Sequence, residues 1–199
     1  MQQAKFILIT FTILLSLVSF SSQSADCNKL VENGTCDFYE KRIESHSFCG
    51  PTGYAMGYGT RYCKKFTNYI DIFPPNGQEW IRKTLVCLKK ALIPYQEEKD
   101  CKVIFNQAFD SHPQCYFEAG FCDLFLDPVH IPQLIKALVT VYEVKDFTNL
   151  LSMKQIFVTG QMCHGEYFNR FIQGLKDFFG GKKYGNIEKE FENMMLDLY

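Results

Sequence analysis

The sequence predicts an all-α, disulfide-stapled helical domain with an irregular amino-terminal segment. Three observations predict it. Beyond residue 77, apolar residues recur at helical spacing along most of the chain, while alternation of strand period never runs past a few residues. Nine cysteines, at 27, 36, 49, 63, 87, 101, 115, 122 and 163, all follow a leader-like opening, and several lie inside helical patterns. No internal repeat or low-complexity segment interrupts the chain.

Residues 1–24 are expected to be a signal peptide. Lys5 supplies a positive start, residues 6–20 form an apolar run of 15 residues, and Ser22-Gln23-Ser24 puts small residues before a cut after Ser24. That run is shorter than the ~20 residues of a bilayer-spanning helix. Residues 25–199 then form a single exported domain with no membrane span. Without Lys5 the 21 basic residues become 20, against 22 acidic ones. So balanced a charge argues against nucleic acid or an anionic membrane as an obligate partner. Nineteen Phe and eleven Tyr, many at helical spacing, point to an aromatic core.

Residues 25–75 read as irregular, with a Gly/Tyr-rich stretch (Gly53, Tyr54, Gly57, Tyr58, Gly59) and a stop at Pro74-Pro75-Asn76-Gly77. A helix follows from Gln78 to about Leu92, where Ile81, Leu85, Leu88 and Leu92 make one stripe and Pro94 ends it. A second runs from about Asp100 to Phe109. Ser111-His112-Pro113 reads as a break and restart, with His112 in a cap or surface position. A short helix over 113–124 then carries Cys115 and Cys122 on roughly one face, ready to be tied to two neighbours. Leu134, Ile135, Leu138, Val139 and Tyr142 mark a buried helix. Residues 145–162 are ambiguous, 166–179 are amphipathic, and a last helix is expected over 186–198.

Enzyme motifs are missing. The chain has no His-Glu-x-x-His zinc spacing, no Gly-x-Ser-x-Gly elbow, no EF-hand loop and no adjacent Cys-Cys pair flanking a His-Asp dyad. His46, His112, His130 and His164 are scattered. A Cys163–His164 nucleophile is disfavoured, because adjacent helical residues point apart and extracellular cysteines are usually oxidised. Glu97-Glu98-Lys99-Asp100 reads as a solvated helix start. No catalytic, cofactor-binding or metal-ligating residue is therefore assigned, and no cofactor is expected. Asn33-Gly34-Thr35 is the chain's single N-glycosylation sequon, and predicts an exposed loop bearing a glycan.

The cysteine spacings and their neighbours carry a resemblance. Cys63 to Cys87 is 24 residues, Cys101 to Cys115 is 14 and Cys115 to Cys122 is 7. With Glu32-Asn33-Gly34-Thr35-Cys36, Tyr62-Cys63-Lys64-Lys65-Phe66, the segment GQEWIRKTLVC over 77–87, and Cys115-Tyr116, this order resembles the stanniocalcin family of secreted glycoprotein hormones. The likeness covers about residues 27–175 and is strongest in 61–122. It implies the bridges Cys27–Cys63, Cys36–Cys101, Cys87–Cys115 and Cys122–Cys163. It leaves Cys49 as a free or interchain thiol. An alternative alignment puts Cys49, instead of Cys36, at the second of the family's positions.

The resemblance further implies a binding protein, not an enzyme, that acts as a hormone-like regulator of calcium and phosphate homeostasis. Its partner would be an extracellular protein, either a receptor or a metalloproteinase target. Family members are usually homodimers linked through a cysteine beyond the last bridge, and this sequence has none after Cys163. A non-covalent dimer, a dimer through Cys49 and a monomer all stay open. The competing readings are a saposin-like lipid-binding module, which an apolar ligand cavity would favour, and a hydrolase with an unfamiliar site.

Overall fold

The computed structural model describes residues 27–142, 150–163 and 165–179. The expected signal peptide, His164 and the expected helix over 186–198 lie outside the described residues. Among the described residues every regular element is helical and no strand occurs. The domain is all-α and held by four disulfides.

The amino-terminal portion is irregular because it is assembled from short helical pieces. Residues 27–32 form a short helix, and two π-helical segments follow at Tyr39–Glu44 and Ala55–Thr60. These two segments pack on each other. Gly59 permits the approach: a Cβ there would lie 2.5 Å from the Tyr39 ring, so any side chain would displace it. The second π segment runs directly into α1, Arg61–Asn68, and a 3-10 turn at Ile70–Ile72 ends this portion.

Helix α2 spans Pro75–Ala91. It begins three residues before the expected start. The Pro-Pro-Asn-Gly run is its first turn and not a stop, because Pro75 occupies the position where a missing N–H costs nothing and Pro74 is extended before it. The expected stripe faces inward, with Ile81 and Leu88 buried and Leu85 partly so; Leu92, just past the helix end, is also buried. Trp80, Thr84 and Lys89 join the buried side.

Helix α3, Cys101–Glu118, corrects two expectations. Asp100 caps it, its carboxylate accepting from the Lys102 and Val103 amides at 2.8 and 3.3 Å. Pro113 lies inside this helix and no restart occurs there. Ser111 is no cap: its Oγ donates to the Ala108 carbonyl at 2.7 Å, and the His112 Nδ1–H donates to the same oxygen at 2.6 Å. These side-chain bonds fall in the turn that proline disturbs. Cys115 and Cys122 do not share one helix. Gly120, at φ +99°, ends the chain's helical run, and Cys122 opens a separate 3-10 turn, Cys122–Phe125.

Helices α4 (Ile131–Val141), α5 (Leu150–Met162) and α6 (Gly165–Phe179) complete the described chain. Helix α3 packs on α2 and α5, and α6 packs on α4, α5 and the 122–125 turn. Two apolar clusters result. One gathers Val31, Phe38, Tyr39, Ile43, Ile104 and Phe109; the other gathers Phe73, Trp80, Tyr116, Phe125, Leu134 and Ile135. Leu85 of α2 touches both.

Candidate functional site

The four bridges fix how the helical pieces meet. Cys87 of α2 joins Cys115 of α3, and Cys122 joins Cys163 after α5; both pairs are those the resemblance implies. The amino-terminal pairs differ and correct the expectation. Cys36 joins Cys63, and Cys49 joins Cys101, so the expected Cys27–Cys63 and Cys36–Cys101 bridges are not formed. Cys49 is neither a free nor an interchain thiol. The reason is local geometry. Cys36, just before the first π segment, and Cys63 of α1 bring their Cα atoms to 5.7 Å, within the reach of a disulfide. Cys49 follows a left-handed Phe48 (φ +53°) that turns the chain back toward the start of α3. The Cys49–Cys101 bridge is the one the alternative alignment implies. Cys27 is buried in the amino-terminal cluster, 3% exposed, outside these four bridges.

Asn33 is exposed, as a glycan acceptor requires. Its Oδ1 accepts from the Thr35 amide at 3.0 Å and from the Thr35 hydroxyl at 2.9 Å. Gly34 makes that turn possible at φ +74°. Beneath the loop lies Lys89 of α2, 1% exposed, whose Nζ donates to the Thr35 carbonyl at 3.0 Å and the Leu30 carbonyl at 3.5 Å. Burial lowers its pKa to about 8, because desolvation disfavours the charged ammonium. Lys90 adds an exposed pair to Glu32 at 3.4 Å. Nothing in the sequence marked Lys89, since its neighbour Lys90 has the same residue type and is exposed.

The two apolar clusters do not close perfectly. Where they meet they leave a cavity of about 80 Å³. Its wall includes Tyr54, Tyr58, Trp80, Phe109, His112 and Tyr116. The rings contact edge-to-face (Tyr58–Phe109 at 5.3 Å), stacked (Phe109–His112 at 5.2 Å) and tilted (Trp80–Tyr116 at 5.7 Å). Trp80 Nε1–H donates to the Tyr116 carbonyl at 3.2 Å, which ties α2 to α3 across the cavity. Gln155 of α5 and Thr84 of α2 add polar groups.

His112 is therefore not the cap or surface residue expected from its neighbour Pro113. It lines the cavity, and desolvation depresses its pKa to about 4 despite the bond to Ala108, leaving it neutral at pH 7. Its folded pKa lies below its unfolded value of 6.5, so the unfolded chain binds the extra proton first. The stability this ring contributes is complete above pH 6.5, falls as the pH drops from 6.5 toward 4, and stops changing below that. Part of the residue reaches the surface, so the loss is smaller than for a fully enclosed histidine. Denaturant midpoints followed from pH 7 to about pH 4 are expected to fall, and His112→Asn is expected to flatten this slope. An unchanged slope in the variant would assign the acid sensitivity elsewhere.

The other candidates resolve individually. His46 pairs with Glu97 at 3.7 Å, and His130 with Asp127 at 2.9 Å. Glu98 accepts from the Lys99 and Asp100 amides at 2.7 and 2.8 Å, shaping the start of α3. Cys163 is committed to its bridge. No group of three or more metal-ligating side chains occurs among the described residues, and no described helix is long and apolar enough to cross a membrane.

Fold and site together define a class: a helical domain stapled by four disulfides around an aromatic cavity. No family model, curated protein or solved structure matches the chain.

Proposed function

We propose that the chain is a secreted, stanniocalcin-like glycoprotein that acts by binding an extracellular protein, with hormone-like effects on calcium and phosphate handling. The observation that carries this reading is the bridge order. Three bridges, Cys49–Cys101, Cys87–Cys115 and Cys122–Cys163, follow one another along the chain at the places that one or other alignment of the resemblance gives them. The exposed sequon beside Cys36 supports the same reading, since glycans and structural disulfides both belong to exported proteins. The competing lipid-carrier reading needs more room. Small-molecule sites are roughly 300–1,000 Å³, and the cavity in this fold is about 80 Å³. With Cys49 bridged within the chain, any dimer does not pass through that residue.

The test uses full-length protein secreted from animal cells. It is added to cultured epithelial cells whose calcium and phosphate uptake is measured, and to a secreted metalloproteinase whose cleavage of a reporter peptide is followed. A saturable change in either supports the proposal; no change in both, with the four bridges verified by peptide mapping, sinks it. The same preparation tests the sequon. Asn33→Gln is expected to remove one glycan's mass on a gel and to make the protein insensitive to glycosidase. An unshifted band would show that Asn33 is not occupied.

A further inference from the structure

Among the four bridges, Cys49–Cys101 stands apart in its surroundings. Each of the others has at least one buried cysteine: Cys36 with Cys63, Cys115, and Cys163. This one has none, and Cys101 is exposed on the first turn of α3. Its Sγ lies in open surroundings, 3.9 Å from the Lys99 carbonyl, whereas the Cys163 Sγ is buried beside the Thr159 carbonyl at 3.6 Å. Thiol–disulfide exchange requires a thiolate to reach a sulfur, so access sorts bridges by how readily they open.

The chain on the Cys49 side is held in a costly conformation. Phe48 is left-handed at φ +53°, where a bulky side chain crowds its own backbone. Burial does not compensate, because Phe48 is 80% exposed. Gly50, on the other side of Cys49, is left-handed as well. The hydrogen bonds of this turn are local. Phe48 N–H donates to the Glu44 carbonyl at 3.0 Å, Gly50 N–H to the Glu44 carboxylate at 2.7 Å, and Gly53 N–H to the Gly50 carbonyl at 3.0 Å. Among the described residues, no hydrogen bond from 48–53 reaches α3, which leaves the bridge as the tie between this turn and that helix. Strain of this kind persists only where the surroundings impose it.

We propose that Cys49–Cys101 is a site of reversible reduction by a dithiol, and that opening it frees the 48–53 turn, with its exposed phenyl, from the start of α3. A thiolate of the dithiol attacks the Cys101 Sγ, the S–S bond breaks, and Cys49 leaves as a thiolate that takes a proton from water. The second thiol of the reductant, once deprotonated, attacks the reductant's own sulfur in the mixed disulfide and releases Cys101, which is protonated in turn. Two electrons pass from the dithiol, which ends as a disulfide, to the protein, which gains two thiols. The other three bridges stay closed and hold the helices together. This site is independent of the protein-binding function proposed above.

The experiment exposes the disulfide-intact, full-length protein to dithiothreitol without denaturant, alkylates it at intervals and maps the labelled peptides. Cys49 and Cys101 are expected to be labelled together, at least about tenfold faster than the other bridged cysteines, while the far-UV circular dichroism stays unchanged. Chymotryptic cleavage after Phe48 is expected to begin with that labelling. The double variant Cys49→Ser/Cys101→Ser is expected to be cut there without reductant. Opening of another bridge first, or of all four together with loss of the helical signal, would overturn the proposal. So would cleavage after Phe48 at the same rate whether the bridge is closed, reduced or removed.

Discussion

Replacing Cys49 alone with serine is expected to cost the fold about 4 kcal/mol, the loop-entropy worth of a bridge that closes some fifty residues. The structure joins Cys49 to Cys101 across 52 residues. If Cys49 were the odd thiol of the framework, its removal would change almost nothing, so the single substitution separates the two pairings. Cys49→Ser is also expected to behave like Cys101→Ser, and the double variant like either single one, because one bridge is lost in all three. Chemical denaturation of the three proteins measures this. Additive losses would place the two cysteines in different bridges. Peptide mapping of the intact protein should recover Cys36 with Cys63 and Cys49 with Cys101.

Trp80→Ala should be comparably severe, at about 3–5 kcal/mol for truncation of a buried aromatic. Trp80 is 5% exposed and touches Tyr116 and Phe121 at ring separations of 5.7 and 6.0 Å. Its removal would enlarge a cavity that already exists, which leaves little around it to collapse inward. The indole N–H also holds the Tyr116 carbonyl in the last turn of α3, where that oxygen accepts from the Phe121 amide as well. Trp80→Phe separates the two contributions. It keeps most of the ring area and loses the donor, so it should cost roughly 1 kcal/mol from the hydrogen bond beyond its smaller packing loss. Denaturation followed by far-UV circular dichroism reads both variants, since the fluorescent probe is gone. A loss below about 1 kcal/mol for Trp80→Ala would mean that this junction is not packed as described.

Much of the helical framework is legible in the sequence because a helix repeats its apolar face locally. The stripe of Ile81, Leu85 and Leu88 is visible over a few turns and needs no knowledge of what covers it. The same holds for α4, where Leu134 and Ile135 are fully buried as their spacing predicts. Elements near proline are not legible in the same way. Pro75 begins a helix and Pro113 sits within one, and the residue type is the same in both. What distinguishes them is the surroundings: Pro113 frees the Phe109 carbonyl, and Ser111 and His112 add side-chain bonds to the adjacent Ala108 carbonyl in the same turn. That depends on rotamers set by packing.

The sequence by itself determined that this is a helical domain built around aromatic residues, with more cysteines than an unbridged fold needs. Composition and 3.6-residue periodicity are local properties, and they suffice for that. It also marked Asn33, because a sequon is a local motif. Only the tertiary structure decided which cysteines meet at the amino-terminal end, since a disulfide requires two Cα atoms within about 6 Å and no spacing along the chain states that distance. It alone separated Lys89 from Lys90, burying one under the sequon loop and leaving the other in solvent. And it alone placed Thr84 and His112 in the wall of one cavity, because that wall is assembled from helices that the sequence describes only one at a time.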